Sequence, residues 1–224
     1  MLFIHGAGGS RLTWHLQLSR FRDALAVELP GHPRGSGFNT IPQYADLVEE
    51  FIQRNGMRDP VLVGHSMGGA IAIEFTLRTL SSAGLVLVGT GARLRVHPDI
   101  MSKLKGNYEE ACRFIAAWSV SPSCDPVIRD RIAQEMLKVG ADVTYGDFLA
   151  CNSFDRMDDL ERIRNPTLIV CGADDRMTPV KYSLYLHEKI RNSRLLVMPG
   201  AGHMVMLEKH RELNYAIETF LSAL

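Results

Sequence analysis

Six residues, Gly64-His65-Ser66-Met67-Gly68-Gly69, separate two runs of different character, and they restrict the possible folds more than any other stretch. Pro60-Val61-Leu62-Val63, just before them, is short, apolar and β-branched, like a strand buried on both faces. Ala70 to Leu77, just after, reads as a helix whose first turn is built of small residues. A chain that passes from strand to helix in so few residues turns sharply, and the serine at the turn is left exposed above the sheet edge. Side chains at Gly64 or Gly68 would collide where strand and helix pass closely, which explains glycine at both positions.

The rest of the chain repeats the alternation. Strands are predicted over Leu2 to His5, Ala24 to Leu29, Pro60 to Gly64, Gly84 to Val88, Thr167 to Cys171 and Arg194 to Met198. Helices are predicted near Thr13 to Arg20, Ile41 to Asn55, Met67 to Leu80, Val180 to Ile190 and Leu207 to Leu221. Strands alternating with helices imply an α/β fold, a mostly parallel sheet with helices on both faces. Between Gly91 and Arg164 the alternation stops and short helical stretches take over, Tyr108 to Trp118 with clear helical periodicity.

A serine hydroxyl is a poor nucleophile unless a base takes its proton and a third group orients that base. Two later strands run into suitable groups. Thr167 to Cys171 leads into Gly172-Ala173-Asp174-Asp175-Arg176-Met177-Thr178-Pro179, and Arg194 to Met198 leads into Pro199-Gly200-Ala201-Gly202-His203-Met204. Both fall just past strand C-termini, where open parallel sheets gather ligands.

Four segments in order now point to a family: His5-Gly6-Ala7-Gly8-Gly9, Gly64-His65-Ser66-Met67-Gly68-Gly69, Gly172-Ala173-Asp174-Asp175 with Pro179, and Gly202-His203. With them the chain resembles the α/β-hydrolase superfamily, in the branch of small bacterial serine carboxylesterases. The resemblance spans nearly the whole chain outside the middle insertion. It implies a core formed by residues 1–90 and 165–224, with residues 91–164 as a helical cap over the serine. It also implies Ser66 as nucleophile and His203 as base. The family pattern has proline four residues after the acid, which selects Asp175 and leaves Asp174 to cap or brace the turn. The oxyanion donors implied are the backbone N–H groups of Ala7 and Met67. His5 would hold its loop through backbone bonds, His65 would pack under the turn, and His32 would bond locally. His15, His97, His187 and His210 read as surface or helix positions. Family members carry two further strands before the His-Gly loop, so an upstream start or a lost hairpin is expected, with Ala24 to Leu29 left as an edge strand.

Met177 and Met204 near the motifs, with Trp118 and Phe148 from the insertion, are candidate substrate-binding residues. Met67, Met206 and Phe114 belong to the same apolar set, and plain core is an equally fair reading of all of them. Lys and Arg total 25 against 25 Asp and Glu, so no net charge favours nucleic acid or an acidic membrane surface. No apolar run approaches the roughly 20 residues that span a bilayer. Cys112, Cys124, Cys151 and Cys171 lack paired spacing and read as reduced thiols, as in a cytoplasmic protein. The histidines lack metal-ligand spacing. The expectation is therefore an enzyme without cofactor or metal, acting on a small-molecule ester, with no nucleic-acid or membrane partner and a possible homodimer through the edge strand.

On this reading the chain hydrolyses carboxylic esters through an acyl-enzyme. A carbon–carbon bond or enol-lactone hydrolase would use the same three residues. A dehalogenase or epoxide hydrolase would resemble the fold but place aspartate where Ser66 stands. A receptor that binds a small ligand without turnover is the alternative of another class.

Overall fold

The computed structural model describes residues 1–79 and 81–224. Its centre is a six-stranded, all-parallel sheet of β1 (Leu2–Ile4), β2 (Leu25–Val27), β3 (Val61–His65), β4 (Gly84–Val88), β5 (Thr167–Gly172) and β6 (Ser193–Met198), in the order β2-β1-β3-β4-β5-β6. Alternate strand residues feed two apolar layers, as the two-residue period of a strand requires. Leu2, Ile4, Leu62, Leu85, Leu87 and Ile169 face one side and pack with α2 (Ile41–Arg54), α3 (Met67–Thr79) and α8 (Val180–Lys189). Phe3, Val63, Val86, Val88 and Val170 face the other, where they meet Trp14 and α10 (His210–Leu221).

Four helices intervene between β4 and β5: α4 (Pro98–Gly106), α5 (Tyr108–Ser119), α6 (Pro126–Val139) and α7 (Ala141–Ser153). They have an apolar cluster of their own, containing Ile100, Leu104, Cys112, Ile115, Met136 and Phe148. Asn107 caps α5 by accepting the Glu110 N–H, and Asp125 caps α6 by accepting the Val127 N–H, so each starts at a residue suited to N-capping.

Three boundaries differ from the sequence expectation by more than one residue. The strand predicted to reach Leu29 ends at Val27, because the Leu29 N–H donates to His5 Nε2 (3.2 Å) instead of a ladder carbonyl. The helix predicted from Thr13 is a 3-10 turn, Arg11–Trp14, followed by the short α1 (His15–Leu18), with Ser10 capping its start. The final helix is broken at Lys209 into α9 (Val205–Glu208) and α10. Glu208, just before the break, accepts the N–H groups of Gly202 (2.9 Å) and Ser121 (2.8 Å), tying α9 to the loop that carries His203. Leu80, the predicted end of α3, lies outside the described residues. Strand β2 is outermost on its side of the sheet, as the sequence led us to expect for this run.

Candidate active site

Ser66 joins β3 directly to α3 and adopts φ +52°, the left-handed region that costs a residue with a Cβ on the order of 1–3 kcal/mol. The strain is held from both sides. The Ser66 N–H donates to Val88 O (3.0 Å), and its carbonyl accepts from Gly69 N (2.9 Å) and Thr90 Oγ1 (2.8 Å). A Cβ on Gly64 would lie 2.3 Å from Gly68 O, and one on Gly68 would lie 2.2 Å from Ile4 O. Neither approach is physically possible, so glycine at both positions is what lets α3 start this close to the sheet.

The loops after β5 and β6 bring Asp175 and His203 together, and both are buried. His203 Nδ1–H donates to Asp175 Oδ2 (2.8 Å). Asp175 Oδ1 accepts the N–H groups of Met177 (2.8 Å) and Thr178 (2.9 Å), and Thr178 Oγ1 donates to Oδ2 (2.9 Å). Burial alone would raise the carboxyl's pKa, but the His203 charge and these donors outweigh it and hold it below the usual range. Asp174 is exposed, and its N–H donates to Ala201 O (2.9 Å). Thr178 was not among the sequence candidates. The signal was present: a carboxylate accepting the N–H groups two and three residues on makes an Asx-type turn that brings a following threonine alongside.

His65 does more than pack. Its ring lies 4.6 Å from that of His203, and Nε2–H donates to the His203 carbonyl (3.1 Å), fixing the backbone of the loop. Full burial, then the neighbouring His203, hold its pKa well below the ordinary value, so the ring is neutral.

The loop after β1 passes beside the serine, since a Cβ on Gly6 would stand 3.2 Å from Ser66 Cβ. His5 grips this loop as expected: Nε2 accepts the Leu29 N–H, so Nδ1 carries the proton and donates to Gly6 O (3.0 Å). Among the described residues neither the Ala7 nor the Met67 N–H donates to a protein acceptor.

A second grip was missed. Asp147, fully buried on α7, accepts from Gly8 N (2.8 Å), His32 Nε2 (2.9 Å) and Tyr44 OH (2.5 Å). His32 therefore reaches beyond its own loop, in addition to the local bonding expected of it. Its Nδ1 faces the carbonyls of Leu29 (3.2 Å) and Pro30 (2.9 Å), so acceptors surround both nitrogens and both carry protons. Burial lowers its pKa, but the Asp147 carboxylate and the carbonyls reverse this and raise it above 6.5. Breaking a buried pair leaves an uncompensated charge, so Asp147→Ala should cost on the order of 3–5 kcal/mol and lower Tm by roughly 10 °C. A raised histidine pKa stabilises fully below about pH 6.5, and the contribution fades as pH climbs through the folded-state value. Thermal unfolding between pH 6 and pH 9 should show this fade in the parent and not in Asp147→Asn.

Ser66 and His203 line one cavity of about 440 Å³. Its walls include Gly6, Ala7, Ile115, Met136, Phe148, Met177, Met204 and Leu207. Among the described residues no hydrogen bond joins the Ser66 hydroxyl to His203. Of the substrate-binding candidates, Phe148, Met177 and Met204 line this cavity, and Trp118 lines a neighbouring cavity that also reaches Ser66. Three of the apolar set do not: Met67 and Met206 are fully buried core, and Phe114 packs on Trp118 (5.0 Å between rings). Helix periodicity explains this, because neighbours of a cavity residue point elsewhere. Among the described residues no cluster of His, Cys, Asp and Glu could hold a metal ion, and no helix is long and apolar enough to cross a membrane.

A parallel sheet with a strained serine at a strand–helix junction, facing a buried histidine–aspartate pair, defines a class of hydrolase, and the family comparison agrees with it. The family model described as an alpha/beta hydrolase family matches residues 1–214, and the chain belongs to that family. A solved structure titled a thermophilic esterase is 36% identical, with a TM-score of 0.89, covering 99% of this chain and 89% of that one. The 2-hydroxy-6-oxo-2,4-heptadienoate hydrolase of Pseudomonas putida is 25% identical over 100% of this chain and 89% of its own length. A dihydrolipoyllysine-residue acetyltransferase component of the acetoin cleaving system, also from Pseudomonas putida, is 26% identical over 99% of this chain. The chain spans only 63% of the length of that relative.

Proposed function

We propose that this chain is a serine hydrolase of carboxylic esters. The observation that carries the reading is the His203–Asp175 hydrogen bond (2.8 Å) opening onto the cavity that Ser66 lines. Ser66 Oγ attacks the ester carbonyl carbon while His203 Nε2 takes its proton. Asp175 receives Nδ1–H, which fixes the tautomer and stabilises the imidazolium. The N–H groups of Ala7 and Met67, which have no protein acceptor among the described residues, meet the negative charge as it forms on the carbonyl oxygen. The carbon–oxygen bond to the alcohol then breaks, and His203 returns the proton to the departing alkoxide. Water, deprotonated by His203, attacks the acyl-enzyme and releases acid and free Ser66. The Ser66–His203 contact closes as substrate enters, since such bonds often tighten only in the complex. Helices α4–α7 act as the cap that excludes water and sets substrate size. The likeness to an esterase at 36% identity supports the same reading.

A panel of p-nitrophenyl esters of increasing acyl length tests it: steady turnover with labelling of Ser66 by a fluorophosphonate is the expected result. Tight ligand binding without product release would instead indicate a receptor. The likeness to a heptadienoate hydrolase favours one second reading, cleavage of a carbon–carbon or enol-lactone bond by the same residues. Slow ester turnover beside fast lactone or vinylogous diketone cleavage would select it. Phe148 lines both cavities, so Phe148→Ala should move the preferred acyl length upward by about two carbons, whereas acetate esters, too short to touch it, should change little. An unaltered length profile would return Phe148 to plain core.

A further inference from the structure

The serine stands between two cavities of opposite character. The first is apolar, and its charged lining residues, Arg131 and Glu135, are one of each sign. The second, about 460 Å³, reaches Ser66 from the side of α4 and α8. Arg95, His97, Arg176 and Lys181 line it, and among the described residues no aspartate or glutamate does. The arginine is held in place: Arg176 Nη2 donates to Ala117 O (2.6 Å), and its guanidinium lies 5.8 Å from the Trp118 ring centre. The His97 ring also packs against Trp118, 5.4 Å between ring centres. Asn152 adds to the set. Its Oδ1 accepts Val96 N (3.2 Å), and its NH₂ adds two donors to the cavity wall.

The carboxylates nearby leave the two arginines and the lysine of this cluster without a contact ion pair. Asp155 is taken by Arg93 (3.1 Å), and Asp99 lies 3.7 Å from the His97 ring at the exposed start of α4. Among the described residues Arg95, Arg176 and Lys181 have no carboxylate within 4.0 Å. A concave wall whose charged side chains, Arg95, Arg176 and Lys181, are all of one sign strengthens attraction for the opposite charge.

An ester bound for attack has two arms leaving its carbonyl in different directions, and one cavity is available for each. We propose that the second cavity is a subsite for an anionic group, so that the preferred substrate is an ester with one apolar arm and one arm ending in a carboxylate. This rests on the esterase reading above and specifies its substrate class.

Two matched pairs test it and separate the possible sources of the charge. For charge on the acyl arm, p-nitrophenyl hydrogen glutarate is compared with p-nitrophenyl 5-methylhexanoate. For charge on the alcohol arm, 4-butyryloxybenzoate is compared with 4-isopropylphenyl butyrate. Each kcat/KM is normalised to the ester's own hydroxide hydrolysis. In one pair the charged member should be preferred about tenfold, the scale of two or three partly exposed ion pairs. The preference should fall toward unity in Arg95→Gln/Lys181→Gln, and also at about 0.5 M salt. Both side chains are exposed and neither adjoins Asp175 or His203, so the double variant should fold. Equal rates within both pairs, or a preference that survives the double variant, would overturn the subsite and leave the esterase reading standing. Failure of every ester together with failure of Ser66 to take up fluorophosphonate would overturn both.

Discussion

Ser66→Ala should reduce kcat for any ester the protein turns over by on the order of 10⁴ or more, with the fold retained. The expectation of an intact fold has a structural basis. The strain at φ +52° belongs to the backbone and is shared by any residue with a Cβ, so alanine inherits it unchanged. The bonds that hold the turn, to Val88 O, Gly69 N and Thr90 Oγ1, all involve the Ser66 main chain. Removing the hydroxyl therefore leaves no buried donor or acceptor unpaired, and Tm should stay within a few degrees of the parent. The loss of rate is large because nucleophile, base and orienting acid act as a unit. A fluorophosphonate should label the parent and not the variant. Ser10 and Ser119 line the same cavity, which makes the comparison sharp. Ser10 Oγ already accepts the Leu12 N–H, and Ser119 Oγ donates to Ala116 O. Among the described residues neither hydroxyl is bonded to a histidine, so label retained on either one in Ser66→Ala would reassign the nucleophile.

What could be read from the sequence was whatever depends on neighbours along the chain. Gly64 announces the turn because the clash it avoids, with Gly68 O, arises within a few residues of Ser66, and Val61 to Val63 announce a strand buried on both faces. Pairings across the chain left no such trace. The hydrogen bond from Gly8 to Asp147 joins residues 139 apart, and nothing in the sequence around Asp147 distinguishes it from a solvent-facing aspartate on a helix. Only the fold shows that α7 meets the loop beside Ser66, where a buried carboxylate with three donors becomes favourable. The same holds for the cations around the second cavity. Arg95, Arg176 and Lys181 come from three separate segments and read individually as ordinary surface charges. The early end of β2 has a cause of the same kind: the His5 side chain, distant along the chain, takes the Leu29 N–H, and propensity carries no record of that.

The two adjacent aspartates should separate cleanly. Asp175→Asn is expected to lower kcat roughly 10⁴-fold near neutral pH, and Asp174→Asn by no more than a few-fold. Both substitutions remove one charge and keep the shape, so the difference isolates what the carboxylate does for His203. In the parent, Asp175 Oδ1 is occupied by the N–H groups of Met177 and Thr178, and Oδ2 faces His203 Nδ1. An asparagine would keep its carbonyl oxygen toward the two backbone donors and turn its NH₂ toward the imidazole. Nδ1 would then have to accept, the proton would move to Nε2, and the nitrogen facing the cavity could no longer act as a base. Among the described residues Asp174 has no such partner: it is exposed, and its N–H donates to Ala201 O. The carboxylate's lowered pKa gives a second signature. A depressed acid contributes stability above its unfolded value near 3.9, and that contribution is lost as pH falls through the folded-state pKa. Acid unfolding of the parent should therefore include a component that Asp175→Asn lacks and Asp174→Asn retains. The reverse ranking of activities in folded, purified variants would place the orienting carboxylate at Asp174 and would require the loop after β5 to close differently when substrate is bound.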